Sequence, residues 1–241
     1  MRTFNHIEIY KKIKENPFEY IGQRSFNLLE CFMMHIDSQT EVNFDSNRFK
    51  EFNEMPCIRE FVSKKTSTEI SQSLRWTWAI GFEIEDQRNL LTNYFDWIDK
   101  YENEYPVESS DYNFDCKLSS EFDITSSIKH MCKRPRMYGF NDLSGLRATI
   151  DGYFYLKKLY QLDLTSNEEL LSKFINNWKN KVNQKLKFET WDRSLIKDKM
   201  GINPFTFGGG SNGGWVFERF IQILEEETDI ELKGPEIIKS T

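Results

Sequence analysis

Apolar side chains recur every three to four residues along most of the chain, a spacing typical of helices with one buried face. Only residues 74–80 alternate briefly between apolar and polar positions, and this short piece fits either a strand or a helix. The pattern therefore predicts an all-α protein with at most a minor strand pair. The predicted helices cover residues 7–15, 25–36, 49–52, 58–62, 86–101, 128–133, 142–154, 167–187, 191–196 and 215–227, with a break at Pro56.

Proline and capping residues divide this pattern into segments. Pro17 and Pro135 each stop a predicted helix, because proline disfavours helical geometry in the residue before it. Short polar side chains that accept a hydrogen bond from an exposed backbone amide start the helices that follow. The predicted N-cap residues are Ser25, Asp142 and Asn167.

Two similar stretches lie about half a chain apart. The second runs Lys-Arg-Pro-Arg-Met-Tyr-Gly from Lys133 and precedes the cap Asp142. The first, from Glu15, keeps the proline, tyrosine and glycine in the same order and precedes the cap Ser25. We interpret them as parts of two divergent copies of one multi-helix unit packed in tandem. The predicted domains are an N-terminal helical repeat (1–104), an acidic linker (105–126) and a C-terminal helical repeat (127–241).

Charge is distributed unevenly along the 241 residues, whose net charge is -6. Residues 102–127 hold seven carboxylates against one lysine, whereas the predicted helix over residues 173–187 is strongly basic. No apolar run is long enough to span a bilayer, and the N-terminus lacks the apolar core of a signal peptide. We therefore expect a cytoplasmic protein with no membrane partner.

Candidate chemistry is sparse. The four cysteines are widely spaced and share no ligand spacing with the three histidines, so we expect reduced packing cysteines and no metal site. His130 lies within an apolar helical pattern, where a structural histidine is expected. The glycine-rich stretch 208–214 lacks the Lys-Ser/Thr ending of a P-loop and is interpreted as a connection. We predict no catalytic residue and no cofactor.

The second stretch resembles the start of a small helical unit found in bacterial genomes. Its members begin with Lys-Arg-Pro-Gly-Met-Tyr-Ile-Gly and continue with Ser-x-x-x-Leu-Arg-Ala-Phe-Leu-x-Gly-Tyr. The matching residues here are Lys133, Arg134, Pro135, Met137 and Tyr138, then Leu146, Arg147, Ala148, Gly152 and Tyr153. Arg136 replaces the glycine, and the first stretch lacks both the Lys-Arg and the Leu-Arg-Ala strings.

Such units are similar to immunity proteins of polymorphic-toxin and contact-dependent growth inhibition loci. The resemblance implies a non-enzymatic protein that neutralises a cognate toxin, and many such toxins are basic nuclease domains. An acidic surface would attract such a toxin and cover its phosphate-binding cleft. On charge alone, the predicted partner-binding residues are Asp111, Asp115, Glu121 and Asp123 in the linker, and Glu225, Glu226 and Glu227 in the last helix.

An alternative is a nucleic-acid-binding or regulatory module that uses the basic helix 173–187. Against direct nucleic-acid binding stand the acidic charge of the whole chain and the spread of lysines around that helix.

Overall fold

The computed structural model describes residues 6–39, 58–67, 89–105, 123–181, 190–202, 213–230 and 232. Within these ranges all regular secondary structure is helical, which confirms the predicted all-α class. The ambiguous stretch 74–80 and the predicted helix 49–52 lie outside them. The α-helices are α1 (His6–Glu15), α2 (Pro17–Ile21), α3 (Phe26–Gln39), α4 (Ile58–Thr66), α5 (Leu90–Glu104), α6 (Thr125–Lys133), α7 (Leu143–Tyr160), α8 (Ser166–Lys181), α9 (Trp191–Met200) and α10 (Gly213–Glu227), and a 3₁₀ turn covers Pro135–Tyr138.

The cap predicted at Asp142 is confirmed. Its carboxylate accepts a hydrogen bond from the backbone amide of Ser144 at 2.9 Å and starts α7. The cap predicted at Asn167 is wrong, because α8 already begins at Ser166. Thr165 and Glu168 form a reciprocal capping box there, with bonds of 3.2 Å from the Glu168 amide and 2.9 Å from the Thr165 amide.

The chain divides into two compact units that do not follow the order of the sequence. The first unit comprises Met1–Pro17, Arg24–Phe26 and Asp37–Lys117, and the second comprises Phe18–Gln23, Asn27–Ile36 and Leu118–Thr241. Two N-terminal segments therefore belong to the core of the second unit. The predicted linker (105–126) lies almost wholly outside the described residues, so that boundary stays a prediction.

In the first unit, α1 and α4 pack against α5. One apolar, partly aromatic face of α5 is buried, and the ring of Phe61 from α4 stands edge-on to Tyr101 with centroids 5.4 Å apart. On the surface, Lys11 of α1 pairs with Glu102 of α5 at 2.6 Å. The buried residues of α5 are Leu91, Tyr94, Phe95, Ile98 and Tyr101.

Both copies of the Pro-Tyr stretch form a short helical turn that ends in a left-handed glycine. The turn at Pro17 is α2, and the turn at Pro135 is the 3₁₀ turn. Gly22 and Gly139 both have φ of +75°, a conformation that other residues adopt only under strain. At the second turn, the hydroxyl of Tyr138 and His130 Nδ1 share a hydrogen bond of 2.6 Å, which ties the turn to α6.

Within the second unit, each turn is held by the helix that follows the other turn. Asn27 of α3 donates to the Gly139 carbonyl at 2.9 Å, and Arg147 of α7 donates to the Ile21 carbonyl at 2.5 Å. Where α3 and α7 cross, a Cβ on Gly152 would lie 1.9 Å from the carbonyl oxygen of Phe32. The two stretches that look alike in sequence are thus reciprocally packed in one core.

Candidate functional site

The three glutamates that end α10, Glu225–Glu227, each pair with a basic side chain. Two of these pairs link the end of α10 to the middle of α6 and to the end of α9, and the third lies within α10. They are Glu225 with Lys129 (3.3 Å), Glu226 with Arg219 (3.0 Å) and Glu227 with Lys199. The carboxylate of Glu227 raises the pKa of Lys199 through its hydrogen bond and its charge.

These glutamates, which we call the α10 acidic end, keep negative charge where helix geometry disfavours it. The last turn of α10 contains no basic residue, and a helix C-terminus already carries partial negative charge. Glu225 and Glu226 remain 42% and 60% exposed. Exposed ion pairs of this kind stabilise a fold by only about 0–1 kcal/mol, so cations of a partner protein can replace Lys129 and Arg219 at little cost.

Of the four acidic residues predicted in the linker, only Asp123 lies within the described residues. Its carboxylate accepts bonds from the backbone amide and hydroxyl of Thr125, at 2.8 and 2.6 Å, at the start of α6. It also accepts a bond from the Thr165 hydroxyl at 2.8 Å. Asp123 therefore holds the start of α6 to the start of α8. Asp111, Asp115 and Glu121 lie outside the described residues.

Arg147, the arginine of the Leu-Arg-Ala string, is a buried hub with a side chain only 4% exposed. Its guanidinium pairs with Asp151 at 3.0 Å and with Asp192 at 3.2 Å, in addition to its bond to the Ile21 carbonyl. Asp192 is fully buried and accepts a bond from the Ser144 hydroxyl at 2.9 Å. The arginine therefore joins α2, α7 and α9.

A second buried ion pair joins α7 to α8. Lys157 and Glu168 are 1% and 0% exposed, with Nζ and Oε2 3.1 Å apart, and the Tyr153 hydroxyl donates to the same carboxylate. Burial, and then the hydrogen bond and negative charge of Glu168, raise the pKa of Tyr153 above its ordinary value, so the hydroxyl stays protonated. Lys157 lies on the apolar face of α7, where the sequence analysis assigned no role.

Beside these clusters lies a groove of about 870 Å³, which we call the α7–α8 groove. Its main walls come from one face of α7, one face of α8 and the segment Phe18–Gly22, and Phe32 of α3 and Trp191 of α9 also line it. Half-buried aromatic rings and several polar side chains face the space. The partly exposed aromatic residues among them are Phe18, Tyr20, Phe154 and Tyr155.

The basic helix of the alternative interpretation is described only as far as Lys181. Lys179 pairs with Asp151 at 3.2 Å, and Lys181 lies over the Trp178 ring at 3.8 Å from its centroid. These two cations are thus engaged within the protein. Lys173 is exposed, whereas Lys185 and Lys187 lie outside the described residues, and nucleic-acid binding stays a prediction.

Two of the four cysteines, Cys31 and Cys132, are buried, and burial raises the pKa of the Cys132 thiol. Cys57 and Cys116 lie outside the described residues. In the part of the chain that the structure describes, no cluster of three or more His, Cys, Asp or Glu side chains could hold a metal ion. Among the same residues, no helix combines the length and apolar character needed to cross a bilayer.

Comparisons with protein-family models, with curated proteins and with solved structures find no match to this chain.

Proposed function

We propose that the chain is a non-enzymatic immunity protein that binds a cognate bacterial toxin domain and covers its active site. The resemblance at residues 133–153 supports this proposal. Several residues of the matched strings, among them Pro135, Tyr138, Arg147 and Gly152, hold the turn and the crossing of α3 with α7. The matched strings thus serve the scaffold, and partner recognition falls to the surface.

The observation that carries the proposal is the α10 acidic end. Three consecutive carboxylates stand at a helix C-terminus, and among the described residues their ion-pair partners are Lys129, Arg219 and Lys199 near the surface. Against a basic nuclease, this surface and the net charge of -6 would speed association and occupy the phosphate-binding cleft. The toxin's cations would take over the carboxylates that Lys129, Lys199 and Arg219 now hold.

The test is co-expression with the protein encoded by the neighbouring gene, which the proposal requires to be a toxin. We expect restored growth and a complex that survives gel filtration, with toxin nuclease activity inhibited in vitro. The double variant Glu225→Lys/Glu226→Lys reverses two charges and should weaken toxin binding at least tenfold. Cells that express the toxin with this variant should grow more slowly than cells that express it with the unaltered protein. Glu218→Lys, an exposed position on the same helix, is the matched control and should bind as the unaltered protein does.

If no complex forms and growth is not restored, the proposal is wrong. Equal loss of binding in the Glu218→Lys control and in the double variant would show that net charge, and not the α10 acidic end, governs the interaction.

A further inference from the structure

We propose that the α7–α8 groove binds an amphipathic helix of a partner protein, one that carries two acidic residues two turns apart. The groove contains none of the residues of the α10 acidic end, so this inference does not depend on the toxin proposal. It rests on the shape of the groove, on its exposed aromatic rings and on the positions of two lysines.

The groove has the form of a gap between two antiparallel helices. Asp151 of α7 pairs with Lys179 of α8 at one end, and Lys157 pairs with Glu168 at the other, which fixes the antiparallel direction. Each helix presents one face, with residues at i, i+3, i+4 and i+7. These faces are Asp151, Phe154, Tyr155 and Lys158 on α7, and Ser172, Ile175, Asn176 and Lys179 on α8.

The third wall, the segment Phe18–Gly22, is held in place by buried groups. Arg147 bonds to the Ile21 carbonyl, and a Cβ on Gly22 would lie 2.6 Å from Thr190 Cγ2. A wall fixed in this way makes the groove largely preformed, so a ligand loses less free energy to ordering the site. A helix can pack its side-chain ridges into such a gap, as helices do within a bundle.

The surface of the groove is aromatic and only partly covered. Phe18 is 42% exposed, while Tyr20, Phe154 and Tyr155 are half-buried. Rings of this kind are enriched at protein interfaces, where they supply large contact areas at low entropic cost. They fit apolar or aromatic side chains on one face of an incoming helix.

Charge selects an acidic occupant. Lys158 is exposed at one end of the α7 face, and Lys179, 51% exposed, is held at Asp151 seven residues away. Seven helical residues span about 10.5 Å, the same distance that separates positions i and i+7 on a partner helix. A carboxylate at one of those positions would meet Lys158, and a carboxylate at the other would compete with Asp151 for Lys179, whose exposed ion pair contributes only about 0–1 kcal/mol. Glu19 on the third wall would disfavour an acidic side chain there.

The experiment is a selection of displayed 18-residue helical peptides against the full chain, followed by affinity measurement with the synthetic winners. We expect apolar or aromatic residues at three- and four-residue spacing with Asp or Glu seven apart. Asn176→Trp, which fills the groove, should weaken binding at least tenfold. Asn177→Trp, an exposed neighbour outside the groove, is the matched control and should leave binding unchanged.

Lys158→Glu should also weaken binding at least tenfold, whereas Lys173→Glu, exposed elsewhere on α8, should not. The proposal is overturned if no helical peptide is enriched or if the selected peptides are basic. It is also overturned if the Asn176→Trp and Asn177→Trp variants bind the selected peptides with equal affinity. These peptides contain no toxin sequence, so their failure leaves the growth-rescue result intact, and the reverse also holds.

Discussion

At the scale of single residues, the buried arginine explains why one short string stands out in the sequence. Arg147 lies in α7 between Leu146 and Ala148, both fully buried, and its guanidinium reaches two carboxylates and a backbone carbonyl. Removing one partner of a buried ion pair leaves the other charge without compensation, which is the main energetic cost of such a change.

Replacing this arginine should therefore destabilise the second unit strongly. Arg147→Met should lower the free energy of unfolding by about 3–5 kcal/mol, because Asp192 is left buried without its cation. Urea denaturation followed by circular dichroism measures the change. Arg219→Met, which removes an exposed arginine that pairs with Glu226, is the matched control and should cost less than about 1 kcal/mol. Adding Asp192→Asn to Arg147→Met should recover part of the loss, and no recovery would contradict the ion-pair account.

A glycine marks the closest approach of two helices. Gly152→Ala should lower Tm and cost about 1–3 kcal/mol or more, because the new methyl group meets the backbone of Phe32 and not a flexible side chain. The comparison is Gly214→Ala in the first turn of α10, where the added Cβ meets nothing within 4 Å. That change should be neutral or stabilising by up to about 1 kcal/mol. Equal Tm values for the two variants would contradict the crossing described for α3 and α7.

At the scale of elements, most helices could be predicted because their signals are local. Pro17, Pro135 and Asp142 act on the backbone within a few residues, so α1, α6 and α7 begin or end near the predicted positions. The capping box Thr165/Glu168 matches the sequence pattern Thr-x-x-Glu, but Asn167 is also a common cap residue and lies nearer the first apolar position, Leu170. The ion pair between Arg147 and Asp192 joins two helices that are distant in sequence. A local sequence pattern cannot predict such a pair.

The sequence does contain one sign of the buried ion pair between α7 and α8. Lys157 continues the spacing of Leu146, Ile150 and Tyr153 along the apolar face of α7, and a charge on such a face requires a buried partner. What the sequence did not contain was the identity of that partner. The α7–α8 groove was missed for the same reason, since its third wall comes from the other end of the chain.

Two substitutions at the start of α8 compare the observed cap, Thr165, with the predicted cap, Asn167. Thr165→Ala should cost about 1 kcal/mol of unfolding free energy, because the amide of Glu168 loses its acceptor and Asp123 loses a donor. Asn167→Ala should change stability by less than about 0.5 kcal/mol. Chemical denaturation of both variants under one set of conditions makes the comparison, and a larger loss for Asn167→Ala would restore the original assignment.

At the scale of the whole molecule, the compact units cut across the order of the chain. The second unit includes the segments 18–23 and 27–36. In the latter, the backbone of Phe32 lies against Gly152 of α7, and the Phe32 ring lies 5.8 Å from that of Tyr155. The two copies inferred from the sequence are therefore interdependent at their turns, through the bonds of Asn27 and Arg147.

A fragment experiment tests this dependence. Residues 118–241 alone should unfold without a cooperative transition, because the apolar face of α7 at Gly152 lacks its partner. Adding a synthetic peptide of residues 18–36 in excess should restore a cooperative melt and raise its midpoint with peptide concentration. A peptide with Leu29→Asp is the control and should have no effect. Cooperative unfolding of 118–241 by itself would contradict the shared core.

The crossing of α3 and α7 also constrains how the protein is made. The hydroxyl of Thr149 bonds to the carbonyl of Cys31, 118 residues earlier. At about 5–20 residues per second, a ribosome takes roughly 6–24 s to deliver the later residue after the earlier one. During that interval the apolar face of α3 emerges without its partner helix. The nascent chain therefore exposes this apolar face until its second half appears, and release from the ribosome before α7 is made leaves the face uncovered.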